Sequence, residues 1–265
     1  MRSVTAAGLA AHDAQRALEP AAAARLGAVL RGLLGRGPVL DLGVGSGATA
    51  RHLVAAGVPV LGVDLAMAML AGRRVQSPGL PAVAGDLTAL PFRHGCVRAA
   101  HMSYVLHHVP DWQAGLAEAS RVLAAEAVLA VTLGPGPPPP GEPPARRAQL
   151  LAWAEAELRL LRPGHRKPLQ QMTTLRAVEE VDAALVGTGF GPPELVEVDG
   201  GVRRLSTRQV AQHLRDSPFL WAPDLDGEAL ARATAAALAR AEREWGDLDV
   251  PLELPVLLRY RVYRR

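Results

Sequence analysis

The stretch Val39-Leu40-Asp41-Leu42-Gly43-Val44-Gly45-Ser46-Gly47 decides how this chain is read. Its opening residues form a short apolar, strand-like run. Its three glycines, at alternate positions, make a turn that leads into a helical stretch over about Ala48–Ala56. A second strand-like run, Pro59–Asp64, follows and completes a βαβ unit. Glycine at such a turn lets a ligand approach bare backbone at a helix N-terminus. The turn alone does not name that ligand, because Gly43, Gly45 and Ala48 also satisfy the dinucleotide fingerprint, with Asp64 as the ribose-binding acid.

Downstream the alternation continues with a helix near Ala66–Arg73, a strand at Ala82–Ala84, a strand at about Val97–Ser103, a helix at about Trp112–Leu123 and a strand at Ala127–Leu133. Strands alternating with helices imply a parallel sheet with right-handed crossovers. Upstream, Ala6–Leu34 is Ala/Leu-rich with Pro20 near its middle. It reads as two helices, the second over Ala21–Leu34 and stopped by Gly35 and Gly37. After the core comes a proline-rich loop, Gly134–Pro144, and then a helix, Ala145–Arg162. The apolar positions Leu150, Leu151, Ala154, Leu158 and Leu161 of that helix share one face and are expected to pack on the domain. A helix at Leu175–Thr188 and a strand at Glu194–Val198 follow. Ser206 with Gln209 has capping-box spacing, and Asp226 is placed to cap a long helix that ends at Gly246. A last strand is expected at Pro255–Tyr263.

The whole-chain figures exclude several classes. The 265 residues are 49% hydrophobic, yet no apolar run approaches the roughly 18–20 residues of a membrane span, so a cytoplasmic protein without a membrane partner is expected. The single cysteine, Cys96, cannot form a disulfide within the chain and is expected to pack; no metal site is indicated. Ile and Asn are absent and Lys167 is the only lysine, so the arginine excess reflects codon supply more than a choice of partner. The net charge is +3 and arginine is spread along the chain, which argues against a nucleic-acid partner despite the high pI.

Two further acids separate the readings of the turn. Asp41 lies beside the phosphate position of a dinucleotide, where its charge opposes a pyrophosphate, whereas a ligand carrying an ammonium and a sulfonium is welcomed. The sign of that charge favours S-adenosylmethionine. Asp86, in Gly85-Asp86-Leu87, follows the third strand, where its carboxylate can accept from an exocyclic adenine amine.

Four segments carry a resemblance: Val39–Gly47; Leu61-Gly62-Val63-Asp64-Leu65-Ala66-Met67-Ala68-Met69-Leu70; Ala84–Phe92; and Tyr104–Trp112, with Arg121-Val122-Leu123 after it. In this order they resemble class I S-adenosylmethionine-dependent methyltransferases of the small-molecule group that includes ubiquinone/menaquinone-biosynthesis type enzymes. The resemblance covers about residues 38–133. It implies a Rossmann-like α/β fold with a seven-stranded, mostly parallel sheet whose last strand is antiparallel. It implies a single domain over 1–265: helices at 1–37, a cofactor-binding core at 38–133, and lid or substrate insertions at 134–172 and 205–250. Residue by residue, Gly43, Gly45 and Gly47 would cradle the methionine part with Asp41 beside them. Asp64, with Leu65 next to it, would take the ribose hydroxyls, and Asp86 with Leu87 would hold the adenine. Met69 would lie near the ribose or adenine, although Met67 and Met69 also suit helix packing. Tyr104 is divided evenly between a ligand contact and the core.

The sequence departs from the family at three places. His12-Asp13 through Arg16 stands where an N-terminal tyrosine often closes the site, Arg98 replaces an aspartate at the start of the fourth strand, and Ala124–Ala127 replaces a Lys-Pro-Gly-Gly turn.

The sulfonium is electrophilic before the protein acts, so catalysis by alignment and exclusion of water is expected. A base is needed only where a small-molecule acceptor must lose a proton. His107 and His108 are the candidates, against a pocket-lining role. Arg146, Arg147, Arg162, His165, Arg166 and Lys167 suit a solvated face or an anionic acceptor. The alternatives are an NAD(P)-dependent oxidoreductase, a nucleic-acid methyltransferase and a cofactor-binding protein without activity. Against the second of these, Ser103-Tyr104-Val105 lacks the Asn/Asp-Pro-Pro-aromatic segment of base-amine methylating enzymes.

Overall fold

A computed structural model describes residues 13–14, 16–133, 142–163, 177–216 and 227–265. The chain divides into two compact units. One comprises Ala17–Gly136, Thr173–Gly200 and Leu257–Arg265, the other Met1–Arg16, Pro137–Met172 and Gly201–Val256.

The sheet consists of strands β1 (Val39–Leu42), β2 (Val60–Asp64), β3 (Ala82–Ala84), β4 (Val97–Ser103), β5 (Leu123–Thr132), β6 (Glu194–Ser206) and β7 (Pro251–Arg264), in the spatial order β3-β2-β1-β4-β5-β7-β6; the first unit holds β1 to β5, β6 up to Gly200 and β7 from Leu257. The pairs β1–β2, β1–β4, β2–β3 and β4–β5 are parallel, and β7 runs antiparallel to β5, as the resemblance implied. All four residues of β1 are buried, because a central parallel strand is covered on both faces. Alternation along the strands sends Leu40, Leu42, Met102, Leu129 and Val131 to one layer. There they pack with Leu116 and Ala119 of helix α4 (Trp112–Val122) and with Val181 and Leu185 of helix α6 (Val178–Gly187). Val39, Ala99, Ala130 and Val262 go to the opposite layer, with Leu26 and Leu30 of α1 (Pro20–Leu34) and Leu53 of α2 (Ala50–Ala55). Pro20 opens α1 at its first turn, where its missing N–H costs nothing. Gly35, at φ 84°, closes it by donating to Arg31 O.

Several boundaries differ from expectation. Strand β5 begins at Leu123, directly after α4, and its register against β4 slips between Val97 and Ala99. The Ala124–Ala127 segment therefore lies within the strand and not in a turn. Strands β6 and β7 are longer than expected. Cys96 is exposed, contrary to the packing role read for it, because it follows Gly95 (φ 64°) in the turn that precedes β4. Most of the first N-terminal helix, His12, the 134–141 part of the proline-rich loop, the Asp226 cap, His165, Arg166 and Lys167 lie outside the described residues, while Asp13, Ala14 and Arg16 are helical as expected.

The α6–β7 seam is held by charge. Arg261 Nε donates to Asp182 Oδ1 at 2.7 Å and Tyr263 Oη donates to the same oxygen at 2.6 Å, while Arg261 Nη2 donates to Oδ2. Burial pushes the Asp182 carboxyl up, but the hydrogen bonds and charge of Arg261 and the Tyr263 hydroxyl outweigh it and hold it below the ordinary value. Asp182→Asn is expected to cost about 2 kcal/mol at pH 7, the scale of a charge-assisted hydrogen bond lost from a partly buried site. An acid whose folded value is depressed stabilises above its unfolded value, about pH 4, and loses that contribution as pH falls through the folded one. Urea unfolding of both proteins at pH 7 and pH 3 checks this: the difference between them should shrink at pH 3.

The second unit contains α5 (Glu142–Leu161), α7 (Thr207–Asp216) and α8 (Gly227–Trp245). Helix α5 starts before the expected Ala145, so Pro143 and Pro144 fall in its first turn, where proline is tolerated. The predicted face is buried: Leu150, Ala154 and Leu158 pack with Val210 and Ala211 of α7 and with Leu230, Ala233 and Ala237 of α8. Trp153 stacks on Trp245 at 4.9 Å, Arg240 lies over Trp153 and Arg146 over Trp245. Ser206 N–H donates to Gln209 Oε1 at 2.8 Å and Gln209 N–H to Ser206 Oγ at 3.1 Å, the reciprocal capping box read from the sequence. Among the described residues no helix is long and apolar enough to cross a membrane.

Candidate functional site

The carboxyl ends of β1, β2 and β3 bring the predicted acids and glycines to one edge of the sheet. Gly43, Gly45 and Gly47 all have positive φ (77°, 54° and 84°). Their neighbours differ. A Cβ on Gly43 would sit 2.1 Å from Val105 Cγ2, and one on Gly47 would sit 2.8 Å from Leu80 and 2.9 Å from Ser77 Oγ. A Cβ on Gly45 would meet only the terminal methyl of Met69, at 3.2 Å. Gly43 and Gly47 are thus demanded by the chain's own packing, and Gly45 is the glycine that presents bare backbone.

The turn's amides are largely spent within the protein. Gly43 N–H and Val44 N–H both donate to Val63 O, at 2.8 and 3.0 Å, and Gly47 N–H donates to Val44 O at 2.9 Å. Gly45 N–H donates to Asp64 Oδ2 at 2.7 Å. Asp64 Oδ1 accepts from Ala66 N–H at 2.8 Å, so the turn and helix α3 (Met67–Gln76) fix this carboxylate from both sides. Burial raises the Asp64 carboxyl above its ordinary value, against the amides of Ala66, Gly45 and Leu65, and the nearby charge of Asp41 adds to the rise. Three amides leave the carboxylate with acceptor capacity for a further donor.

Asp86 Oδ1 accepts both the amide and the hydroxyl of Thr88 at 2.8 Å, and these bonds hold its carboxyl below the usual value. Leu87 is buried among Leu90, Leu106 and Leu116, so its side chain serves the core. Leu65 and Met67 are exposed, and Leu65 gives an apolar surface directly after Asp64. Met69 is half-buried with its methyl against Gly45. Tyr104 is the one non-glycine described residue with positive φ, at 56°, and its N–H donates to Thr132 O at 2.9 Å. Strain of this kind collects at functional sites. His107 and His108 lie on a single 3-10 turn, Leu106–His108, anchored by the buried Leu106. Their ring centroids are 4.1 Å apart, with His107 half-buried and His108 exposed.

The sequence reading set Asp41 at the mouth of the sheet. The structure turns one of its oxygens along the sheet instead: Oδ1 lies 2.9 Å from Nδ1 of His101, and both side chains are buried. His101 was not singled out from the sequence. A signal existed, since a histidine within the apolar run Ala99-Ala100-His101-Met102 needs a partner, and parallel register puts Asp41 opposite it. Among the described residues no three His, Cys, Asp or Glu side chains gather as a metal would require.

Residues 40–131 match the family described as methyltransferase domain. Over that stretch, about a third of its length, the chain is similar to methyltransferases. The demethylmenaquinone methyltransferase of Beutenbergia cavernae is 40% identical over 84 residues, covering 32% of this chain and 35% of that protein. The enzyme of the same name from Mycolicibacterium gilvum is 39% identical over 84 residues, 32% and 36% respectively. The chain therefore matches only about a third of the length of these relatives. Solved structures agree on the fold over far more of the chain. A protein from Bacillus halodurans described as a methyltransferase superposes over 91% of this chain and 97% of its own, at TM-score 0.53 and 17% identity. The [4+2]-cyclase SpnF covers 94% of this chain and 83% of its own, at TM-score 0.53 and 18% identity. Likeness at that identity fixes the fold alone.

Proposed function

We propose that the methyltransferase core binds S-adenosylmethionine and directs its methyl group to a small organic acceptor. One observation carries the choice over a dinucleotide: the amides of Gly43, Val44, Gly45 and Gly47 are already donating to carbonyls and to Asp64. A pyrophosphate cradle needs those donors free. A cationic nucleoside needs acceptors instead, and Asp41, Asp64 and Asp86 supply them on successive strands.

The residues present fit that ligand. Gly45 leaves room at the turn, Asp64 is braced with acceptor capacity to spare for a ribose hydroxyl, and Leu65 offers an apolar surface for a base. Asp86 keeps one oxygen beyond those taken by Thr88 for an adenine amine. When bound, S-adenosylmethionine supplies a methyl group made electrophilic by its sulfonium. The protein's share is then to orient, to exclude water and, for a hydroxyl or amine acceptor, to receive a proton on an imidazole nitrogen of His107 or His108. Tyr104, held at a strained backbone angle immediately before that turn, sets the direction in which the chain leaves β4.

The relatives' name makes a quinone-precursor acceptor the first class to assay. The two-thirds of the chain outside 40–131 is where acceptor choice would differ from theirs, and a cytoplasmic location is part of the same reading. Thermal shift with S-adenosylmethionine, S-adenosylhomocysteine, NAD and NADP tests the reading. At a ligand concentration about 100-fold above Kd, stabilisation of roughly 2.7 kcal/mol is expected for the first two only. Stabilisation by NAD or NADP alone rejects it.

A further inference from the structure

Asp41 and His101 face each other across the β1–β4 register, with Oδ1 and Nδ1 2.9 Å apart. A carboxylate oxygen only accepts, so Nδ1 carries the hydrogen and donates it. Nε2 is buried and has no hydrogen-bond partner among the described residues. The ring is backed by Tyr260 of β7, with centroids 5.9 Å apart. The charged or titratable neighbours of the pair are Asp64 from β2, whose carboxyl feels Asp41, and Tyr260, which feels both Asp41 and Tyr104.

An imidazole sunk in a layer of Val39, Ala99, Ala130 and Val262, with one nitrogen unsatisfied, costs more than an aliphatic side chain there. Strand packing does not require it. Its one side-chain hydrogen bond goes to the acid two residues before Gly43, and among the described residues that bond is the only one the Asp41 side chain makes. The bond fixes the rotation of the carboxylate, commits Oδ1 and leaves Oδ2 as the acceptor for something else. We infer that His101 is a positioning residue that holds Asp41 so that Oδ2 receives the ammonium group at the amino-acid end of the cofactor. This rests on the S-adenosylmethionine reading, to which it adds the device that aims Asp41.

Titration calorimetry with two probes tests it: S-adenosylhomocysteine, which carries the amino-acid end, and 5′-methylthioadenosine, which lacks it. Failure of the unaltered protein to bind S-adenosylhomocysteine overturns the cofactor reading itself. With that binding in hand, His101→Leu should weaken S-adenosylhomocysteine about tenfold and leave methylthioadenosine within about twofold. His101→Asn, whose side-chain amide can donate near the place of Nδ1, should recover S-adenosylhomocysteine to within about threefold of the original. Equal weakening of both probes, no change in either, or an asparagine variant no better than leucine overturns the inference. If His101→Leu does not fold, Asp41→Asn and His101→Asn decide. Selective loss of S-adenosylhomocysteine in the first with retention in the second supports the assignment, and any other pattern rejects it.

Discussion

Asp64→Ala is expected to weaken S-adenosylhomocysteine at least about tenfold, some 1.4 kcal/mol or more, the loss of charge-assisted hydrogen bonds to the ribose. The structure adds a second effect. Gly45 N–H and Ala66 N–H both end on this carboxylate, so alanine leaves two amides without partners at about 1 kcal/mol net each and frees the turn. Asp64→Asn should fall between the two proteins, because its one carbonyl oxygen keeps one of the amides satisfied while its charge is gone. Burial raises this carboxyl, so its share of fold stability is fully present below its unfolded value, about pH 4, and declines as pH rises through the folded value. Affinity moves the opposite way and should begin to fall at a pH higher than an ordinary aspartate would give. Titration calorimetry across pH 4 to 8 reads the affinity, and urea unfolding over the same range reads the stability. Unchanged affinity in the alanine variant at pH 7 would show that the ribose does not sit on Asp64.

Much of the core was legible because its signals are local. Alternating apolar runs, a glycine turn and acids at strand ends need only sequence spacing, and the strands from Val39 to Leu133 fell within a few residues of their expected places. The capping box at Ser206 and Gln209 was legible for the same reason. What escaped depends on pairing between distant segments. His101 acquires its meaning only when β4 lies beside β1 and sets it against Asp41, 60 residues away. The Asp182–Arg261–Tyr263 seam depends on the antiparallel return of β7, which no local pattern specifies. The extra length of β6 and β7 escaped because Gly200-Gly201 and Pro251 to Pro255 carry turn chemistry, which extended pairing overrides. The glycines were read as one set, yet their neighbours divide them.

That division gives the other large effect. Gly43→Ala places a Cβ 2.1 Å from Val105 Cγ2 and 2.6 Å from Val105 Cβ, at a backbone φ of 77°. The contact involves the stiff, branched root of Val105, which cannot swing aside as a long side chain does. Overpacking of about 1–3 kcal/mol adds to about 1–2 kcal/mol for a left-handed non-glycine residue, so a loss of roughly 2–5 kcal/mol is expected. Gly45→Ala carries the backbone cost alone, since the methyl of Met69 is free to move, and should lose about 1–2 kcal/mol while still folding. Its added methyl occupies the face that a ligand would approach, so its binding of S-adenosylhomocysteine should fall although its fold survives. Val105→Ala in the Gly43→Ala background removes the clashing methyl groups but leaves the β-carbon at position 105, 2.6 Å away, and the backbone strain. Val105→Ala should therefore cost about 1 kcal/mol less in the Gly43→Ala background than alone, a coupling read from urea unfolding of the four proteins in the cycle. Additive costs at positions 43 and 105 would place the penalty in the backbone of the turn and not in its contact with Val105.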